Sequence, residues 1–264
     1  MTISTKTLGP QANRVNILGV GVAASDIASV LKSFESWIDR RVRAYVCVPD
    51  VHLVMQCQWD PDLRRVLNAA TLTVTDGMPL VWFCRLAGRS SAQRVYGPDL
   101  LLAACADGVA RGRRHYFYGG APGVAETLAT KLSSRFPGLK IAGVQCPPFR
   151  PLTAAEEEAA VAEINGAKPD IVWVGLGAPK QEFWMDRLRG QLEAPLLVGV
   201  GAAFDFHSGA KPQAPRVLQR SGLEWVFRLA SEPRRLWPRY RKVVPAFLVG
   251  VTLQALRLRR YSLD

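Results

Sequence analysis

The sequence predicts an α/β fold: a Rossmann-like, mostly parallel sheet with helices on both faces, followed by a basic helical C-terminal appendage. Two observations predict the sheet. Between Gly97 and Val200, short aliphatic and β-branched runs alternate with segments of helical period, the pattern of a parallel sheet with right-handed crossovers. Several of those runs stop at glycine-rich corners, Gly119-Gly120-Ala121-Pro122-Gly123 and Gly175-Leu176-Gly177-Ala178-Pro179 among them. A third observation bounds the domain: the alternation ends after Gly209, where arginines interleave with Trp225, Phe227, Trp237 and Tyr240.

Taken in order, Arg14–Val22 reads as a first strand ending in glycines. Ser25-Asp26 caps a helix whose apolar face is Ile27, Val30, Leu31, Phe34, Trp37 and Ile38. Ala44–Val48 is a strand that breaks at Pro49-Asp50. Helices follow over His52–Gln58 and Pro61–Ala69. Leu72–Thr75 is a strand that stops at Asp76-Gly77, and Met78–Leu86 is helical. Asp99 opens a helix to about Gly112. The regular part then gives strands at 114–118, 139–144, 170–174 and 195–200, with helices at 124–136, 153–165 and 180–191. The helix at 153 starts with a capping box, Thr153-Ala154-Ala155-Glu156. Helices at 214–220, 222–230 and 233–242 close the chain. After them Val243–Leu256 is apolar but interrupted by Pro245, Gly250 and Gln254. That run is shorter than the ~20 residues a membrane span needs, and its basic flanks suit an interfacial amphipathic segment.

Charge is distributed unevenly. From Lys211 to Arg260 twelve basic residues face only Glu224 and Glu232, so this stretch carries ten of the chain's net +12 charges. A basic tail on a near-neutral body implies a polyanionic partner, whether nucleic acid, a diphosphate or an anionic membrane. No recognisable nucleic-acid module accompanies it, which argues against nucleic acid. The five cysteines are odd in number and form no C-x-x-C pair, the usage of buried thiols in a reducing compartment. Met1–Gln11 lacks an apolar signal region, so a cytoplasmic protein is expected.

Several motifs carry more than one reading. Asp76 ends a strand, where the carboxyl edge of an open α/β sheet borders its ligand crevice, yet Asp-Gly is also a plain turn signal. Gly119, Gly120 and Gly123 lie between a strand and a helix, where bare backbone and a helix N-terminus suit a phosphate; a tight turn would need the same glycines. Gly19-Val20-Gly21-Val22-Ala23-Ala24 matches the relaxed dinucleotide fingerprint G-x-G-x-x-A, with Asp50 somewhat far for the ribose acid. Asp60-Pro61-Asp62 is formally a D-x-D metal signature, but it sits at a helix start where Asp caps and Pro leads. The histidines His52, His115 and His207 are far apart, and no metal cluster is visible. His115, inside a strand, reads as structural, and His207 as a candidate for the crevice. Lys180 and Gln181 open a helix at a strand end and can hydrogen-bond a ligand, while Glu182 reads equally as favourable first-turn charge.

The segments TVTDGMPLVW (73–82), RVYGPDLL (94–101), YGGAPGVAE (118–126), GLGAPKQEFW (175–184) and the long run from Gly199 to Tyr240 together resemble the WecG/TagA/CpsF family of bacterial glycosyltransferases. The resemblance implies an inverting, metal-independent transferase that needs no cofactor. Such an enzyme moves a sugar from a UDP-sugar (UDP-N-acetylmannosamine or a related UDP-hexose) to a polyprenyl-diphosphate-linked saccharide at the inner face of the plasma membrane. It assigns the general base to Asp76. Substrate contacts would fall to Val48, Asp50, Arg94, Gly119, Gly120, Gly123, Gly177, Lys180 and Gln181, with Arg228, Arg235 and Arg239 reaching in from the appendage. Two places depart from the family pattern: Val48-Pro49-Asp50 replaces Thr-x-Asn, and Gln213-Ala214-Pro215 replaces Arg-Ala-Pro. The organisation that follows is a flexible N-terminus at 1–13, a catalytic domain at 14–209 and a membrane-associating appendage at 210–264. A homo-oligomer is compatible with this organisation. A nicotinamide-dependent oxidoreductase using Gly19–Ala24, or a non-catalytic nucleotide- or nucleic-acid-binding protein, stays open from the residues alone.

Overall fold

Fully apolar short strands must be covered on both faces, and the chain does this with two helical layers. The computed structural model describes residues 14–263; the proposed flexible N-terminus, 1–13, lies outside the described residues. The strands are β1 (Arg14–Ile17), β2 (Val20–Ala23), β3 (Ala44–Cys47), β4 (Leu72–Thr73), β5 (Arg114–Gly119), β6 (Lys140–Gln145), β7 (Ile171–Gly175) and β8 (Leu196–Gly199). The helices as far as the last strand are α1 (Ile27–Asp39), α2 (Val51–Gln56), α3 (Pro61–Ala69), α4 (Met78–Leu86), α5 (Gly97–Arg111), α6 (Val124–Arg135), α7 (Ala154–Ala167) and α8 (Lys180–Leu188). After β8 come α9 (Ala203–Ser208), α10 (Arg216–Arg220), α11 (Glu224–Ser231) and α12 (Pro233–Ala255).

Among the described residues β3 to β8 form one six-stranded sheet in the order β4-β3-β8-β7-β5-β6, parallel at every pairing. Alternate side chains serve opposite layers. Tyr45, Cys47, Tyr116, Tyr118, Val172 and Val174 pack with α2, α3, α4, α7, α8 and α12. Val46, Phe117, Trp173, Leu196 and Val198 pack with α1, α5, α6 and α9. His115 is buried between strands, where its Nδ1 accepts from Trp173 Nε1 at 3.0 Å. Burial pushes its pKa down to about 4, so it is a neutral structural residue, as its place in the sequence suggested. The caps also follow the sequence: Asp26, Asp60 and Thr153 each accept from the backbone of the helix they open. Asp60 is thereby accounted for as a cap.

The first strand differs from expectation. Arg14–Ala23 is an antiparallel hairpin in a sheet of its own, with Ile17 opposite Val20. Leu18 and Gly19 form its two-residue turn, both at positive φ, 51° and 79°, the geometry of a type I′ turn. Leu18 tolerates that backbone because its side chain is buried and its N–H donates to Gln254 Oε1 at 2.9 Å. The G-x-G-x-x-A run therefore never forms a strand-to-helix phosphate corner, and the oxidoreductase reading loses its one motif. Its glycines instead make room for the far end of the chain: a Cβ on Gly19 would stand 2.9 Å from the Ser262 carbonyl oxygen.

The C-terminal helices also differ. The stretch from Pro233 runs as one continuous helix through Pro238 and Pro245 to Ala255. Each proline removes an N–H and frees the carbonyl four residues earlier. Spaced seven apart, both prolines lie on the exposed side, where water can satisfy those carbonyls. The opposite side, Val243, Phe247 and Gly250, is buried, with Gly250 against Leu18. The apolar segment thus spends one face on the protein core and keeps Leu248 and Val249 exposed. Helix α9, absent from the sequence-based expectation, packs Ala203 and Phe204 under α5 and α6. Phe247→Ala removes a buried ring from the α12 contact and should lower unfolding stability by about 3–5 kcal/mol, read as a lower urea midpoint.

Candidate active site

Parallel pairing brings the ends of β3, β4, β5, β7 and β8 to one edge of the sheet, and a cleft of about 1390 Å³ opens there. Val48 and Asp50 follow β3, Asp76 follows β4, Gly120 follows β5, and Gly177, Lys180 and Gln181 follow β7; all of them line this cleft. Arg228 on α11 and Arg235 and Arg239 on α12 line it from the C-terminal side. The residues singled out from distant parts of the sequence therefore converge.

Three others do not reach the cleft wall. Gly119 is turned into the sheet at φ 118°, and a Cβ there would sit 2.7 Å from the Gly175 carbonyl carbon. Its glycine is required by close approach of β5 to β7. Gly123 caps α6 at φ 79° and is not itself part of the wall, although Ala121 and Val124 on either side of it are. Arg94 has each guanidinium nitrogen engaged by protein. Nε donates to the Asp76 carbonyl, Nη1 to the Gln219 carbonyl at 3.3 Å, and Nη2 to Glu224 Oε2 at 2.6 Å. It also stacks over the Tyr96 ring at 3.9 Å. Arg94 acts as a brace from the β4 loop to α10 and α11.

Glu224 is the centre of that brace. Its carboxylate receives Arg94, the Tyr96 hydroxyl at 3.2 Å and Arg228 Nη2 at 2.6 Å. Burial alone would raise its pKa, but Arg228 and Arg94 hold it below the ordinary value. Arg228 is likewise opposed by burial, yet Glu224, Tyr96, Asp76 and Asp50 drive its pKa upward. This cluster stays charged.

Asp76 is electrostatically different. Its Oδ1 accepts the Gly97 N–H at 3.0 Å. The residue keeps some accessible surface in the cleft, but protein atoms crowd its carboxyl. Burial pushes its pKa up to about 7, with Arg94 and the Gly97 N–H pulling down and Glu224 and Asp50 pushing up. Such a carboxylate is poised to exchange a proton near neutrality. Asp50, two residues from Val48, caps α2 by accepting from Leu53 N at 2.9 Å.

Some cleft residues escaped the sequence reading. His52 lines the cleft, whereas His207 bonds the Pro98 carbonyl at 2.9 Å outside it. Glu182 is fully buried and not a solvated first-turn acid. Tyr96 and Tyr240 also line the wall. Only the Y-G-P run after Arg94 and the Trp/Tyr spacing of the tail signalled the two tyrosines. Among the described residues, no group of three or more His, Cys, Asp or Glu side chains is arranged to hold a metal ion, and no helix is long and apolar enough to cross a membrane.

The family model described as the glycosyl transferase WecG/TagA/CpsF family matches residues 15–261. Among curated proteins, the chain is 28% identical over 228 residues to an N-acetylglucosaminyldiphosphoundecaprenol N-acetyl-beta-D-mannosaminyltransferase of Bacillus spizizenii, a match covering 86% of each. It is also 28% identical over 216 residues to a protein of the same name in Bacillus subtilis, covering 81% of this chain and 82% of that one.

The raised Asp76 pKa also has a stability consequence. The folded protein holds this proton more tightly than the unfolded chain, so the favourable contribution is present at acid pH and is lost as pH rises through about 7. Asp76→Asn should therefore raise the Tm at pH 8 by several degrees and change it little at pH 4, as read by scanning calorimetry.

Proposed function

The chain belongs to the WecG/TagA/CpsF family of glycosyltransferases, and on that premise we propose that it transfers a sugar from a UDP-sugar to a polyprenyl-diphosphate-linked saccharide, with inversion and without a metal. The acceptor class follows that of the Bacillus relatives, as their names give it. One observation carries the mechanism: a carboxylate at the strand ends, Asp76, with its proton affinity raised to about 7, opens onto a cleft rimmed by arginines.

In this reading the acceptor hydroxyl approaches Asp76, which takes its proton as the oxygen attacks the anomeric carbon. The bond to UDP breaks on the opposite face, and the diphosphate leaves carrying the negative charge. Arg228, Arg235, Arg239 and Lys180 line the same cleft and supply positive charge for that leaving group, the role a divalent cation has in other transferases. Arg94 serves indirectly: it ties the Asp76 backbone to Glu224, and Glu224 in turn holds Arg228. Loss of the Arg94 brace would disturb the base and the leaving-group side together.

Binding at an anionic membrane is part of the same proposal. Arg234, Arg241 and Arg257 are exposed, and Trp225 on α11 and Trp237 on α12 are exposed as well, Trp237 lying between Arg234 and Arg241 in sequence. Acidic lipid would meet the cations while the indoles enter the interface.

A panel of UDP-sugars, offered in EDTA with a synthetic lipid-diphosphate-sugar acceptor and scored by UDP release and product mass, tests the reaction directly. No product with any donor would reject it. Asp76→Asn should lower kcat by ~10²–10⁴-fold while UDP still binds. Wild-type kcat/KM should climb as pH rises through about 7, since the base works only when deprotonated. A flat profile together with an active Asn variant would return Asp76 to a turn residue. Retention on phosphatidylglycerol vesicles should weaken with salt and with Arg234→Ser, Arg241→Ser and Arg257→Ser combined, by ~1 kcal/mol per charge removed.

A further inference from the structure

At the start of α8, two neighbouring side chains form a buried polar pair that the mechanism above does not use. Gln181 is 4% exposed and Glu182 is wholly buried. Gln181 Nε2 donates to Glu182 Oε1 at 2.9 Å. Both residues line the cleft, and each has one oxygen left over: Gln181 Oε1 and Glu182 Oε2 are buried without a hydrogen-bond partner. An unmet acceptor costs free energy comparable to a lost hydrogen bond, so it points to a group absent from the free protein.

The orientation of the amide is readable from its surroundings. The nitrogen lies towards the strand, where a Cβ on Gly199 would stand 3.0 Å from Nε2. The oxygen lies towards the loop after β8, where a Cβ on Gly201 would be 3.4 Å from Oε1 and 3.8 Å from Nε2. Gly201 lines the cleft and Gly199 does not. A free glutamine amide can turn over and exchange these two ends. Here the neighbouring carboxyl oxygen accepts from the nitrogen and so selects one end.

We propose that Glu182 is a positioning residue: by capturing an amide proton of Gln181 it aims the Gln181 oxygen into the cleft, where that oxygen accepts a hydrogen bond from a hydroxyl or N–H of the transferred sugar. This inference rests on reading the cleft as the UDP-sugar site. The role requires an acceptor oxygen at Glu182 and no negative charge. Burial pushes the Glu182 pKa up to about 7, against the Gln181 hydrogen bond, and Asp50 adds to the rise, so an uncharged side chain of the same shape fits the surroundings. Glu182 in turn raises the pKa of the Cys47 and Cys57 thiols, which burial raises further, while Arg14 acts on Cys47 and Arg64 on Cys57 in the opposite sense.

Three variants test this with steady-state kinetics, using the donor identified by the panel, and with UDP calorimetry. Glu182→Leu fills the space but removes the acceptor, and should raise the donor KM about tenfold with a smaller effect on kcat. Glu182→Gln keeps the acceptor and should restore KM to within about threefold of wild type. Gln181→Leu should match Glu182→Leu, and the double variant should be no worse than either single one, because one hydrogen bond to sugar is being lost. UDP alone lacks the sugar and should bind all variants equally, which also reports that they are folded. Wild-type protein that fails to bind UDP would count against the UDP-sugar site itself. Normal UDP binding with Glu182→Gln as impaired as Glu182→Leu, or with Glu182→Leu kinetically normal, would overturn the positioning role alone.

Discussion

Parallel strands leave the sheet at the same edge, and that constraint assembles the site. The loops after β4, β3, β8, β7 and β5 turn side by side along that edge, each about 4.8 Å from the next, so all five share roughly 19 Å of it. Residues separated by more than a hundred positions in sequence, such as Val48 and Gln181, become walls of one cleft. The same packing acts electrostatically: a carboxyl at a crowded strand end loses hydration, which pushes its pKa up to about 7. In the proposed reaction this carboxyl, and not a histidine, is the base.

The second organising element is ionic. Glu224 lies between Arg94 and Arg228, with side chains only 15% and 11% exposed for the Arg94–Glu224 pair. Removing the acid would strand two guanidinium groups in a poorly hydrated place, which is more costly than the pair itself is favourable. The brace is therefore a register device. It fixes where α11 stands relative to the Asp76 loop, and so where the cleft arginines point.

Much of this was legible in the sequence because helix caps, alternation and glycine corners are local signals. The capping box at Thr153 and the caps at Asp26 and Asp60 were each readable from a few neighbouring residues. Misreadings arose where the deciding partner is distant. Arg14–Val22 has the composition of one strand, and its turn at Leu18 is sustained by Gln254, far along the chain. The sequence predicts a helix ending at 242, with Pro245 interrupting the apolar run after it, but the seven-residue spacing from Pro238 puts both prolines on the wet side of one continuous helix. Glu182 resembled an ordinary first-turn acid; only the depth of α8 in the fold makes it a buried one. At the site, residue types marked Asp76, Lys180 and Gln181, whereas the engagement of Arg94 by Asp76, Gln219 and Glu224 depends on side-chain reach that no spacing rule encodes.

The clasp between the hairpin and the far end of the chain has a consequence for biogenesis. Asn16 Nδ2 donates to the Tyr261 carbonyl, 245 residues away, Gln254 Nε2 donates to the Asn16 carbonyl, and Asn68 Nδ2 donates to the Leu263 carbonyl. In order of synthesis Asn16 precedes its partner Tyr261 by 245 residues, so the hairpin is made long before that contact can form. Helix α12, which carries two of the cleft arginines, is secured by the same late contacts. A nascent chain can therefore bury its sheet before the clasp exists, and the hairpin gains these contacts only once residues 254–263 have been made.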